Sequence, residues 1–218
     1  MESDSPVKAA LSLNRSMPPS QIGQTIEHIN QIVKDEDLQD EIVQRINRPF
    51  ETGKDEEDGQ SFLKCEYNKD GDSFRSPFSN KYYPPLPEDV EDAFYPTGQL
   101  RSLEEKMNSI LFDYLKLYFE NNGLGSAYFF ETDDSGFGAC VGIKNSYEDL
   151  SQGVISATWD SSHVFTVLNE GKYSLVSTIF LQMELSGEAH GEIKIAGSCS
   201  RMIEATHAPA SKDSEHIS

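Results

Sequence analysis

Apolar residues in the first fifty positions recur at three- and four-residue steps, the period of helices that bury one face. Ser5 is an N-cap candidate and Pro6 a first-turn proline, followed by Val7, Ala10, Leu11 and Leu13, and Pro18-Pro19 ends the run. Ser20 can cap a second helix whose stripe is Ile22, Ile26, Ile29 and Val33. A third stripe, Leu38, Ile42 and Ile46, closes at Arg48-Pro49, because proline disfavours helical geometry in the residue before it. Three short amphipathic helices with brief connections cannot each bury a stripe alone. They are expected to pack as an antiparallel three-helix stalk over residues 1–49.

From 50 to 97 the helical period lapses. Phe50 is followed by ETGKDEEDGQ, acidic and aperiodic, which reads as a linker or mobile loop. Cys65 to Pro87 is rich in Asn, Asp, Gly, Ser and Pro but also holds Tyr67, Phe74, Phe78, Tyr82 and Tyr83, the mark of an irregular segment pinned to a core by aromatics. A long helix is predicted within 98–122, with Leu100, Leu103, Met107, Ile110, Leu111, Tyr114, Leu117 and Tyr118 as its stripe and Gly123 ending it. Over 123–204 the period changes to two, and five strands are expected at 126–132, 136–144, 153–168, 172–185 and 191–198. Short Asp/Ser/Gly and Asn/Glu/Gly turns between them suit an antiparallel meander. In the fourth strand both alternating sets contain apolar residues, so cover on both faces is expected. The tail 205–218 is small, polar and aperiodic, leaving the sheet to be covered by something beyond this sequence. The predicted class is α+β.

With 37 Asp+Glu against 18 Lys+Arg, a formal charge of −19, attraction to nucleic acid or an anionic membrane is disfavoured and a basic partner is favoured. Cys65, Cys140 and Cys199 have no CxxC spacing, so they read as reduced thiols rather than a disulfide framework or zinc site. There is no signal-peptide pattern, and no apolar run approaches the ~20 residues of a membrane span, which points to the cytoplasm.

Candidate chemistry is sparse. Trp159-Asp160-Ser161-Ser162-His163 holds the residue types of a hydrolytic triad, but neighbours on a strand point to opposite faces and no GxSxG elbow is present. The run reads as a strand edge or turn with polar side chains. Asn68-Lys69-Asp70-Gly71-Asp72 begins like a calcium loop, yet the sixth and twelfth places hold Ser73 and Ser79, so an Asx-type turn is expected. The five histidines lack metal-ligand spacing, no glycine pattern cradles a phosphate, and Asp55 to Asp58 reads as a solvated loop. No cofactor is implied.

The block from Cys65 to Pro85, CEYNKDGDSFRSPFSNKYYPP, strongly resembles the signature of the F-actin capping protein beta-subunit family, usually C-D-Y-N-R-D-x-D-S-Y-R-S-P-W-S-N-x-Y-x-P-P. It departs conservatively at Glu66, Lys69, Phe74 and Phe78. Further similarity lies in Ala10-Leu11 through Pro18-Pro19, in Leu117-Tyr118-Phe119-Glu120, in Trp159-Asp160-Ser161 with His163-Val164, and in Gly197-Ser198 with Arg201.

The resemblance implies a non-enzymatic, calcium-independent subunit whose sheet joins that of an alpha subunit, the heterodimer blocking actin exchange at filament barbed ends in the cytoplasmic actin cytoskeleton. Basic residues of such a complex meet acidic actin, and a C-terminal amphipathic helix grips the terminal subunit. This sequence stops at Ser218, about where that helix would begin, so no actin-contact residue is assigned. The alternative role is a beta-like chain that pairs with alpha or a regulator without itself capping. CARMIL-type regulatory peptides touch an arginine pair and a tyrosine in the family. Arg15 and Tyr82 match, while Ser16 replaces the second arginine.

Overall fold

The structure is a computed structural model describing residues 4–46, 48–87, 93–119, 123–132, 136–149, 154–167, 172–187 and 191–206. Three helices come first, α1 (Asp4–Ser16), α2 (Ile22–Ile32) and α3 (Glu36–Arg45). The Pro18-Pro19 pair leads into a single 3-10 turn at Pro19–Gln21, and Gln21 rather than Ser20 precedes α2. Asp35 caps α3 by accepting a hydrogen bond from the Leu38 amide at 3.2 Å, with Glu36 and Asp37 favourably placed in the first turn.

Their stripes meet in one cluster of Val7, Ala10, Ile22, Ile26, Ile29, Ile42 and Ile46, and Phe180 from the sheet completes it. The helices are thus fastened to the sheet through that ring.

Residues 50–64 are no linker. Strands β1 (Glu51–Lys54) and β2 (Ser61–Lys64) form an antiparallel hairpin, which alternation could not reveal because β1 contributes no buried side chain. The signature segment is likewise more regular than expected, with a 3-10 turn at Glu66–Asn68 and a small antiparallel sheet of β3 (Lys69–Asp70), β4 (Ser73–Arg75) and β5 (Tyr82–Tyr83). Gly71 supplies the positive φ of 56° that the β3-β4 turn needs. Asn68 builds no Asx turn there. It is buried, and its amide nitrogen donates to the Leu63 and Arg75 carbonyls at 3.2 and 2.8 Å.

Helix α4 (Gly98–Tyr118) leads into the five-stranded antiparallel sheet of β6 (Gly123–Glu131), β7 (Phe137–Asp149), β8 (Val154–Val167), β9 (Lys172–Gly187) and β10 (Gly191–Thr206), in the order β10-β9-β8-β7-β6. The meander matches the sequence expectation. The last strand runs eight residues further than expected, because register with β9 continues to Thr206 opposite Lys172. Residues 207–218 of the predicted tail lie outside the described residues.

Gly123 starts β6 instead of capping α4, whose C-cap is Phe119. A side chain at Gly123 or Gly125 would strike Leu115, so both glycines let α4 sit close to the sheet.

The sheet has two differently covered faces. On one, Leu111 and Leu115 of α4 pack on Ile143, Val141 and Trp159, while Leu100 packs on Phe129 and Ala139. On the other, Phe180 meets the helices, and Phe50 and Leu63 crowd Gly142. Cover of β9 is partial: Thr178 and Phe180 are buried, whereas Ile179, pointing to the α4 side, is 40% exposed.

The predicted α4 stripe also divides. Leu100 and Leu111 of that stripe are buried, joined by Glu104, Asn108 and Leu115 from outside it, but Leu103, Ile110, Tyr114, Leu117 and Tyr118 are exposed. Polar Glu104 and Asn108 take inward places that hydrophobicity alone would give to their neighbours.

Phe180 is 3% exposed and is the sheet's contribution to the helical cluster. Phe180→Ala is expected to lower stability by about 3–5 kcal/mol through lost burial and the cavity left behind. Denaturant unfolding monitored by circular dichroism will show this as a lower midpoint.

Candidate protein-interaction surface

The signature segment is held by two buried charged centres. Arg75 and Glu104 are both fully buried and form a bidentate pair, with Nη1 to Oε1 at 2.7 Å and Nη2 to Oε2 at 2.8 Å. Arg101 adds a bond to Glu104 Oε1 at 2.6 Å, and the Phe129 amide donates to Oε2 at 2.9 Å. Glu104 therefore ties β4, its own helix α4 and strand β6 together. Charged hydrogen bonds of this geometry offset the loss of water around two ions.

Asp55 is the second centre. Far from solvated, it is fully buried at the end of β1 and receives Ser76 Oγ, Tyr83 Oη and the amides of Glu57, Asp58 and Ser79. Burial opposes its charge, but the bonds from Ser76, Ser79, Tyr83 and the Glu57 amide prevail and hold the carboxyl far below the usual range. Only Glu56, Glu57 and Asp58 of the acidic run are exposed.

The aromatics pin the segment as expected. Tyr67 stacks on Phe130 at 4.9 Å, and Tyr83 lies 6.3 Å from Phe62. The Cys65 thiol is pushed up by hydrogen bonding to the Cys140 thiol and by burial, so β2's end and β7 meet there although 75 positions separate the two free cysteines.

The triad-like run lies in the middle of β8, the central strand, rather than at an edge or turn. Asp160 accepts the Phe50 amide at 2.9 Å and Lys144 Nζ at 3.0 and 3.2 Å, on the hairpin side of the sheet. Burial pushes its pKa up, partly countered by Lys144 and the Phe50 amide. His163 points to the opposite face, where Nδ1 meets Ser177 Oγ at 2.9 Å and burial lowers its pKa. Three residues apart on one strand, these two cannot converge on a nucleophile. Among the described residues no cluster of His, Cys, Asp or Glu could hold a metal ion, and no helix is long and apolar enough to cross a membrane.

Arg15 is exposed in the last turn of α1, beside Asn14 and Ser198. Tyr82 is 5% exposed, donates its hydroxyl to the Phe94 carbonyl at 2.7 Å and meets Tyr95 edge-on at 5.5 Å. Burial pushes its pKa up to about 12. Among the described residues no hydrogen bond or ring contact joins Arg15 to Tyr82.

What the structure leaves unfilled lies at β10. It is the terminal strand, sixteen residues long, and its outer side pairs with no strand among the described residues. Ile193 and Ile195 on it, with Ile179 on β9, are 38%, 46% and 40% exposed on the α4 side of the sheet. The exposed apolar face of α4 belongs to that same side. A long edge flanked by exposed apolar side chains is a surface for another polypeptide. Sequence reasoning inferred a missing cover but named neither β10's edge nor these residues, since which residues α4 would leave bare depends on its angle to the sheet.

The two charged centres generate one experiment. Glu104→Ala strands Arg75 as a buried unpaired ion and is expected to cost roughly 3–5 kcal/mol in denaturant unfolding. Asp55→Asn should narrow its deficit relative to the parent as pH falls. The folded pKa of Asp55 lies far below its unfolded value, so the carboxylate's contribution is complete above about pH 5 and declines progressively as pH falls below about 4 toward the depressed folded value. Unfolding midpoints measured from pH 7 to pH 3 will check the convergence.

Comparison with known proteins agrees with the signature. A family model described as F-actin capping protein, beta subunit, matches residues 7–218. The F-actin-capping protein subunit beta of Arabidopsis thaliana is 36% identical over 205 residues, covering 90% of this chain and 77% of its own length. The subunit of that name from Drosophila melanogaster is 36% identical over 220 residues, covering 99% and 76% respectively. A solved homodimeric actin capping protein alpha subunit from Plasmodium berghei aligns over 89% of this chain and 77% of its own, at 16% identity and a TM-score of 0.46. By the near-complete family match and the identity to these relatives, the chain belongs to the F-actin capping protein beta-subunit family.

Proposed function

We propose that this chain pairs edge to edge with a capping protein alpha subunit through β10, and that the heterodimer binds filament barbed ends and blocks actin exchange, with no chemical step. The observation that carries the pairing is the sixteen-residue terminal strand with exposed apolar residues beside it. Strand pairing would satisfy the outer backbone groups of β10, and a partner helix would cover Ile193, Ile195 and Ile179. Capping itself is carried by family membership and by the names of the relatives. The strongly acidic chain suits a partner that brings basic surface to the complex.

On this reading the helical part, 1–49, serves regulators and the sheet, 123–204, serves the alpha subunit, with 50–97, the helix 98–122 and the tail 205–218 as the remaining divisions. The complex works at the cytoplasmic actin cytoskeleton. A CARMIL-type peptide would meet Arg15 directly, because that side chain is exposed. Tyr82 would contribute by holding the shape of its segment, since its hydroxyl is committed to Phe94.

Single-filament elongation with the chain co-purified with an alpha subunit tests the whole reading. Barbed-end growth should stop at saturating heterodimer, and Ile195→Asp should sharply reduce heterodimer yield. Growth that continues at saturation overturns capping and leaves the pairing role alone. An undiminished yield with Ile195→Asp overturns pairing at this surface.

A further inference from the structure

The opposite edge of the sheet carries a second unfilled surface. In an antiparallel strand the amide and carbonyl of alternate residues point to the same side. At β6 the outer side is identified by Ala127, whose amide and carbonyl both bond the Asn108 side chain, at 2.9 and 2.8 Å. Phe129 follows, its amide taken by Glu104. The same alternation puts the backbone groups of Gly125 and Gly123 outward, and among the described residues no bond to that outer side is found for either.

This uncapped stretch lies in a trough between α4 and the β1-β2 hairpin. Two adjoining cavities of about 240 and 650 Å³ share Gln60, Phe78, Asn108 and Phe112. Gly123 and Gly125 line the smaller one. Phe112 is 63% exposed over the trough. Asp58 and Glu105 stand at the wide end and Lys116 at the narrow end. Arg101 partly offsets Glu105 at 3.0 Å and Lys81 pairs with Glu57, so Asp58 sets the sign of the wide end, with exposed Glu56 in the same turn.

We propose that this trough binds an extended segment of a partner protein, laid along the Gly123–Gly125 edge of β6. A large apolar side chain of that segment sits on Phe78 and Phe112, and a Lys or Arg lies beside Asp58 and Glu105. The unpaired strand edge selects an extended backbone, the exposed ring selects an apolar anchor, and the acidic end selects a cation next to it. The surface is separate from β10, which lies four strands away.

The test is selection of phage-displayed random peptides on the immobilised full chain, then fluorescence anisotropy with the enriched peptide. Enriched sequences should carry an aromatic or leucine anchor near a Lys or Arg. Phe112→Asp should weaken binding by about tenfold or more and Asp58→Lys by about threefold, with unchanged thermal melting because both side chains are exposed. Amide exchange at Gly123 and Gly125 should slow when peptide is bound. Equal affinity for Phe112→Asp, no enrichment over bare support, or protection confined to β10 would each overturn the proposal. So would self-association of the chain abolished by Phe112→Asp, which would make a second copy the occupant.

Discussion

The Arg75–Glu104 pair is the interaction on which the rest depends, because three parts of the chain that are distant in sequence meet at one carboxylate. Glu104 takes Arg75 from the signature segment, Arg101 from its own helix and the Phe129 amide from β6. An ion buried this deeply is tolerated only when each oxygen is occupied and the charge is balanced. That demand fixes the rotation of α4 about its axis. With Glu104 inward, Asn108 one turn later also faces the sheet, and its amide closes the outer side of β6 at Ala127. The apolar residues displaced from the inward face, among them Leu103, Ile110 and Tyr114, are left exposed.

The two ends of the sheet consequently differ. The β6 end is capped by polar side chains of α4 at Ala127 and Phe129, and among the described residues the glycine stretch at its beginning has no such bond. Among the described residues the β10 end has no such device, and no strand pairs with its outer side along sixteen residues, with exposed isoleucines nearby. Among the described residues the two edges therefore offer different things, a long run of unpaired backbone at β10 and a short glycine stretch at β6.

The two buried aspartates show how environment rather than residue type sets electrostatics. Asp55 collects five donors from a tight turn and the signature segment, so its charge is favoured despite burial. Asp160 has one backbone amide and one lysine, and burial prevails. Both serve as anchors. Asp55 organises the hairpin turn against Ser76 and Tyr83, and Asp160 fastens the Phe50 backbone to the central strand.

Much of this was legible in the sequence because periodicity is a local property. The helical stripes around Ile26 and Ile42, the alternating strands and the antiparallel meander follow from which neighbours are apolar and how short the turns are. The signature carried the family on twenty-one consecutive positions from Cys65 to Pro85. What stayed hidden depends on contacts between distant positions. Asp55 looks solvated in sequence because three of its donors, Ser76 Oγ, the Ser79 amide and Tyr83 Oη, lie 21, 24 and 28 residues away. Glu104 and Asn108 look like surface polar residues of a helix until Arg75 and the edge of β6 arrive. Which residues of the α4 stripe are buried, how far each sheet edge is capped and where Cys65 meets Cys140 were decided only by tertiary packing, since a one-dimensional pattern records polarity and spacing but not the partner that makes a buried charge stable.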